Sequence, residues 1–113
     1  MATDETGFPA AARLLENMSQ DATGDLILEA ENGATCDYPI EAPPGIKMKW
    51  LSRASGDSLR AAALALLPTH ASSQIWFAGE REDAKALRDA AKAAGRETTD
   101  LRISGFWTAP VAN

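Results

Sequence analysis

Apolar positions along the chain alternate between short unbroken runs and longer stripes spaced by three and four. The clearest pair is QIWFAGEREDAKALRDAAKAA, over residues 74–94. Ile75, Trp76, Phe77 and Ala78 run without polar interruption, which predicts a core strand covered on both faces. Gly79 breaks the run where the chain must turn sharply. Ala84, Leu87, Ala91 and Ala94 then repeat at helical spacing, an alanine-rich face able to lie close to a sheet. Gly95 is placed to end that helix.

The same alternation extends in both directions. Pro9 suits the first turn of a helix, and Ala11, Leu14, Leu15 and Met18 give it a buried stripe ending near Ser19–Gln20. Thr23–Gly24 reads as a turn and Asp25–Glu31 as a strand centred on Leu26, Ile27 and Leu28. Residues 32–45, rich in Pro, Gly, Asn and Asp, read as a loop. Ile46–Leu51 alternates Ile46, Met48 and Trp50 with Lys47 and Lys49, the pattern of a strand with one wet face at a sheet edge. Ser55 or Asp57 would cap a second helix carrying Leu59, Ala62, Ala63, Leu66 and Leu67, stopped by Pro68. Leu101–Trp107 is the last strand, with Phe106 and Trp107 as core residues of an edge.

Strands alternating with helices predict an α/β, Rossmann-like three-layer domain with a mostly parallel sheet of about four strands. No strand precedes the first helix, although every later helix has one, so the first strand of such a fold is expected to be missing. That would leave an edge or gap, closed directly or filled by pairing with a second copy as a homodimer.

With 113 residues, the chain is expected to form a single domain over 1–113. Its net charge of −5 argues against a nucleic-acid binder. No run is long and apolar enough to span a bilayer and no signal segment opens the chain, so the cytoplasm is the expected compartment. Cys36 is the one cysteine; it excludes an internal disulfide, offers no metal cluster and reads as a bystander. His70 stands alone after Pro68 in a polar loop and does not read as a catalytic base. No Ser/His/Asp or Cys/His set is present, so neither catalytic nor metal-ligating residues are expected.

The candidate chemistry lies in the turns. Thr6-Gly7-Phe8-Pro9 opens a helix whose unpaired N–H groups suit a pyrophosphate, although Asp4 and Glu5 oppose an anion and Thr6 could be a plain cap. Gly79-Glu80 could approach a ribose, yet Glu80, Glu82 and Asp83 also suit a helix dipole. Glu29 and Glu31 could meet an adenosine ribose at a strand end, or be solvated.

Four stretches in order resemble the C-terminal, nicotinamide-nucleotide-binding domain of siderophore-interacting proteins. Asp4-Glu5-Thr6-Gly7-Phe8-Pro9-Ala10 is similar to that family's DET-x-x-PA turn, and Trp76-Phe77-Ala78-Gly79-Glu80 to its W-x-AGE. Ser104-Gly105-Phe106-Trp107 is close to its SGYW, and Trp50-Leu51-Ser52-Arg53 to its Trp-Leu-x-Arg. The resemblance implies a module that binds NADPH or NADH and passes hydride to FAD held by a separate N-terminal domain, which then reduces a ferric siderophore. It places Asp4, Glu5, Thr6 and Gly7 under the pyrophosphate, and Gly79 and Glu80 beside the nicotinamide ribose. Ser104, Gly105 and Trp107 would face the nicotinamide and flavin. It gives Ser52 and Arg53 the 2′-phosphate, which favours NADPH. The flavin domain is absent, so the chain is expected to be a fragment or a stand-alone piece, inactive by itself. The rival reading is a non-catalytic interaction module that kept the fold and lost the cofactor, supported by the missing first strand.

Overall fold

A parallel sheet of five strands organises the chain, which the computed structural model describes over residues 1–68 and 73–110. Its strands are β1 (Ala2–Thr3), β2 (Thr23–Ala30), β3 (Gly45–Ser52), β4 (Ile75–Glu80) and β5 (Leu101–Trp107). They lie in the order β3-β2-β1-β4-β5, every neighbouring pair parallel. The expected gap is therefore closed, and the sheet has five strands rather than four. β1 is only two residues long, but it fills the centre. Ala2 faces Ile27 on one side and Phe77 on the other, and Thr3 faces Leu28 and Ala78. No apolar run announces β1; the unpaired edges of its two neighbours impose it. The Ile27 N–H donates to the Met1 carbonyl (2.9 Å) and the Asp4 N–H to the Ala78 carbonyl (3.3 Å).

Side chains of a strand alternate between faces, and two separate cores follow. On one face Ala2, Ile27, Leu51 and Phe77 meet α2 (Leu59–Leu66) and α3 (Arg81–Ala93) through Leu59, Ala63, Ala84 and Leu87. On the other, Leu26, Leu28 and Ala30 meet Phe8 and Leu15 of α1 (Phe8–Glu16). The long loop takes the place of a helix there, with Cys36, Ile40 and Ala42 packed onto that second core. Phe8 meets Tyr38 with ring centroids 5.3 Å apart, and the edge of Trp50 at 5.7 Å.

Several boundaries differ from the sequence reading. Thr23 and Gly24 open β2 instead of forming a turn, and α1 ends at Glu16, short of Ser19. Ser58, not Ser55 or Asp57, caps α2 by accepting the Ala61 N–H (3.1 Å). Ala94 is the exposed C-cap of α3 rather than part of its buried face. Gly95 does end that helix, at φ +84°, with its N–H on the Lys92 carbonyl and the Arg96 N–H on that of Ala91. β3 is the edge strand expected, with Lys47 and Lys49 exposed, but Met48, expected on its dry face beside Ile46 and Trp50, is exposed as well. Trp76 is half-buried, and Phe106 and Trp107 are exposed, so those aromatics lie outside the core assigned to them. Their strand is an edge, and its register shifts between Gly79 and Glu80, where Gly105 and Trp107 are the successive partners. His70 lies outside the described residues.

Candidate functional site

Because all five strands run the same way, the turns that follow them stand on one rim. The turn of residues 4–7 follows β1, Ser52-Arg53 ends β3, Gly79-Glu80 ends β4, and Ser104–Trp107 ends β5. Strand order reverses between β1 and β4, the point in an open α/β sheet where ligands lodge. Every sequence-predicted site residue is thus at or next to the carboxyl-end rim.

The structure also shows what each already touches. Asp4 is almost fully buried. One carboxylate oxygen accepts the Thr6 N–H (3.0 Å) and the Thr6 hydroxyl; the other accepts the Trp107 indole N–H (2.7 Å). Asp4 is therefore the cap of the turn, not Thr6, and it ties the first turn to the last strand. Gly7 sits against β1 and β4, where an added Cβ would meet Thr3 Oγ1 at 2.1 Å and Ala78 Cβ at 2.7 Å. Gly105 lets the start of α3 approach, since a Cβ there would lie 2.8 Å from Arg81 Cα. Glu80 caps α3, accepting the N–H groups of Glu82 (2.8 Å) and Asp83 (3.1 Å), and its second oxygen accepts the Ala109 N–H (3.3 Å). Burial alone would raise the Glu80 carboxyl, but these three donors outweigh it and hold the group below its ordinary range.

A charged cluster occupies the β1–β2–β3 corner. Arg53 makes a forked pair with Glu5, Nη1 to Oε1 at 2.7 Å and Nη2 to Oε2 at 2.6 Å. Its Nη1 also donates to Glu29 Oε1 (3.0 Å), and its Nε lies 3.5 Å from Glu31 Oε2. The other Glu29 oxygen accepts the Leu59 N–H at the head of α2 (3.1 Å). Hydrogen bonds from Arg53 hold the Glu5 carboxyl below its ordinary range. Burial pushes the Glu29 carboxyl up, and its bonds to Arg53 and Leu59 offset only part of that. Ser52 accepts the Gly33 N–H at Oγ (2.6 Å) and keeps its own hydroxyl proton to donate.

Sequence reasoning placed these residues in the turns but missed their mutual contacts. Arg53 and Glu5 are 48 positions apart and Trp107 and Asp4 are 103 apart, beyond the reach of local pattern. Thr3, fully buried beside Gly7, was also missed; two polar-flanked residues carry no strand signal. Among the described residues no group of three or more His, Cys, Asp or Glu could hold a metal ion, and no buried side-chain N or O lacks a partner. A cavity of about 630 Å³ is at the opposite rim, lined by Met1, Leu14, Met18, Leu66 and Trp76 among others. It opens where β2 and β4 run on beyond the start of β1, at the end of the sheet away from the candidate turns.

The siderophore-interacting protein family matches residues 1–110. Among solved structures, the chain is similar to the siderophore-interacting protein SipS from Aeromonas hydrophila at 21% identity and a TM-score of 0.78, covering 95% of this chain and 49% of that one. It is similar to the siderophore-interacting protein from Acinetobacter baumannii at 25% identity and a TM-score of 0.80, over 97% of this chain and 45% of that one. A siderophore utilization protein from T. fusca matches at 28% identity and a TM-score of 0.70, over 98% and 44%. The chain therefore spans less than half the length of these proteins, in their C-terminal part. Among curated proteins no match is found. With nearly its whole length matched, the chain belongs to the siderophore-interacting protein family.

Proposed function

We propose that this chain is the nicotinamide-nucleotide-binding module of a flavin-linked ferric-siderophore reductase. Beside family membership, one geometric observation carries the reading. The turns after β1, β3 and β4 share a rim and flank the β1/β4 switch point, so a single extended molecule can reach all three. The turn of Asp4–Gly7 would lie under the pyrophosphate, with Gly79 and Glu80 beside the nicotinamide ribose. Ser104, Gly105 and Trp107 form the wall toward the flavin. The nucleotide supplies a hydride when bound; the chain supplies orientation and needs no general acid or base of its own.

The turn after β1 does not offer the unpaired N–H groups expected of it. The Thr6 N–H and hydroxyl go to Asp4, the Gly7 N–H to the Asp4 carbonyl and the Phe8 N–H to the Glu5 carbonyl, so a pyrophosphate there would have to displace some of these bonds. Ser52 has a hydroxyl proton to give, and Glu31, exposed and held only at 3.5 Å by Arg53, keeps acceptor positions suited to sugar hydroxyls. FAD and the ferric siderophore belong to the rest of a full-length protein in this reading, and the isolated chain does not turn over. The interaction-module reading drew on a missing first strand, and β1 removes that support.

Titrating the 113-residue chain with NADH and NADPH, following nicotinamide fluorescence, tests the proposal directly. Saturable binding of either nucleotide at or below about millimolar concentration is expected, the range of typical enzyme KM values. Absence of saturation with both would sink it.

A further inference from the structure

Arg53 is the residue that the family resemblance assigns to the 2′-phosphate of NADPH. In the fold it is not free for that task. Its three nitrogens already face Glu5, Glu29 and Glu31. One guanidinium against three carboxylates leaves a formal charge of −2 at this corner, where a 2′-phosphate would add further negative charge. We infer that the candidate nucleotide site takes NADH and rejects NADPH, with Glu31 as the residue that sets the preference. This rests on the nucleotide-module reading and names its substrate.

Arg53 could serve a phosphate only by turning away from its present partners. Glu29 forbids that. Its side chain is only 10% exposed, and Arg53 is its one cationic partner among the contacts that reach it. Turning Arg53, itself 34% exposed, toward solvent would leave the largely buried Glu29 carboxylate without its counter-charge, and the loss of that partner opposes the move. The Glu5 fork adds a second restraint: both terminal nitrogens are used in one planar, bidentate contact. The guanidinium is thus a brace for three strand ends, holding the turn after β1 to the ends of β2 and β3.

The same carboxylates suit a ribose diol. Glu31 has a side chain 76% exposed and holds Arg53 only at 3.5 Å, so its oxygens keep acceptor capacity facing solvent. An unphosphorylated ribose offers two adjacent O–H donors to such a group. In dinucleotide folds an acidic residue at the end of the second strand takes this role, and Glu29 and Glu31 stand at and just past the end of β2. Glu29 is spent on Arg53 and the Leu59 N–H, which leaves Glu31 as the ribose acceptor.

The test compares NADH and NADPH dissociation constants for the parent chain and for Glu31→Gln and Glu31→Lys, by fluorescence titration and by calorimetry. Both substitutions fall on an exposed side chain, and far-UV circular dichroism checks that the variants fold. The parent should bind NADH at least about tenfold tighter than NADPH, the ratio that one well-placed charged contact sets. Glu31→Gln should narrow that ratio by about tenfold, and Glu31→Lys should bring it to unity or reverse it. Raising salt should weaken the discrimination against NADPH, because it is electrostatic. If the parent binds NADPH as tightly as NADH or tighter, or if both variants keep the parent ratio, this inference is overturned while the nucleotide-module reading stands. If neither nucleotide binds, both fall together.

Discussion

An alanine at position 7 would force its Cβ into Thr3 Oγ1 and Ala78 Cβ, both within 2.7 Å. Neither neighbour can retreat, since Thr3 and Ala78 are both fully buried at the sheet centre. At position 79 the nearest atoms to an added Cβ lie at 3.2–3.4 Å and belong to the Phe77 ring and Asp4 Oδ2. We therefore expect Gly7→Ala to cost about 2–3 kcal/mol, the upper part of the range for overpacking a core, and Gly79→Ala about 1 kcal/mol or less. Urea denaturation of the two variants checks the contrast; equal losses would refute it. Both glycines were plain in the sequence, Gly79 read as backbone room for a ligand and Gly7 placed under the pyrophosphate by the family resemblance. What position 7 accommodates is a strand that the sequence reading did not find. Arg53 teaches the same lesson. Its place after a strand was legible, but whether it faces a phosphate or carboxylates depends on Glu5 and Glu29, which only the fold brings to it.

At the scale of elements, long periodic segments were legible and short ones were not. α3 carried its stripe, its acidic first turn and its terminal glycine in plain view. β1 had nothing local to declare it, because two residues cannot show a period; β2 and β4 make it a strand by pairing with both its edges. Glu80 illustrates how a junction hides its role. It is the last residue of β4 and at the same time the N-cap of α3, with one oxygen on the helix and the other on Ala109. Glu80→Ala should cost about 1–2 kcal/mol, the loss of a good N-cap, while Glu80→Gln keeps one acceptor and should cost less than half as much. The folded-state pKa of Glu80 lies below its ordinary 4.5, so its contribution is present above that value and is lost as pH falls through the lower, folded-state one. Glu80→Gln should therefore show a shallower fall in stability on acidification than the parent. Denaturant titrations at several acidic pH values measure both effects, and parallel acid limbs would count against the role.

For the whole molecule, β1 is the seam. β2 pairs only with β1 and β3, and β4 only with β1 and β5, so two half-sheets are joined through Ala2 and Thr3. Toward the start of the strands a cavity of about 630 Å³ is lined from both helical layers, by Leu14 and Met18 on one face and Leu66 and Leu87 on the other. Above the seam, the Asp4 cap, the Trp107 indole and the Glu5–Arg53 fork bind the turn after β1 to both halves. Stability and the candidate site thus depend on the same few residues: a shift in β1 displaces Asp4, Glu5 and Gly7 together. Proline at position 3 removes an N–H from the sheet centre, where proline is essentially never tolerated, and a loss of about 3 kcal/mol or more is expected. A domain of this size holds roughly 5–15 kcal/mol in total, so such a loss should leave a measurable unfolded population under mild denaturant. Hydrogen exchange on Thr3→Pro should show protection falling first at Ile27 and Leu28 and at Phe77 and Ala78, the residues that face β1, before the β2–β3 and β4–β5 pairings open. Should the variant instead lose less than about 1 kcal/mol, or exchange uniformly across the sheet, the two halves would have to be held by helix packing alone and the seam would carry no special weight.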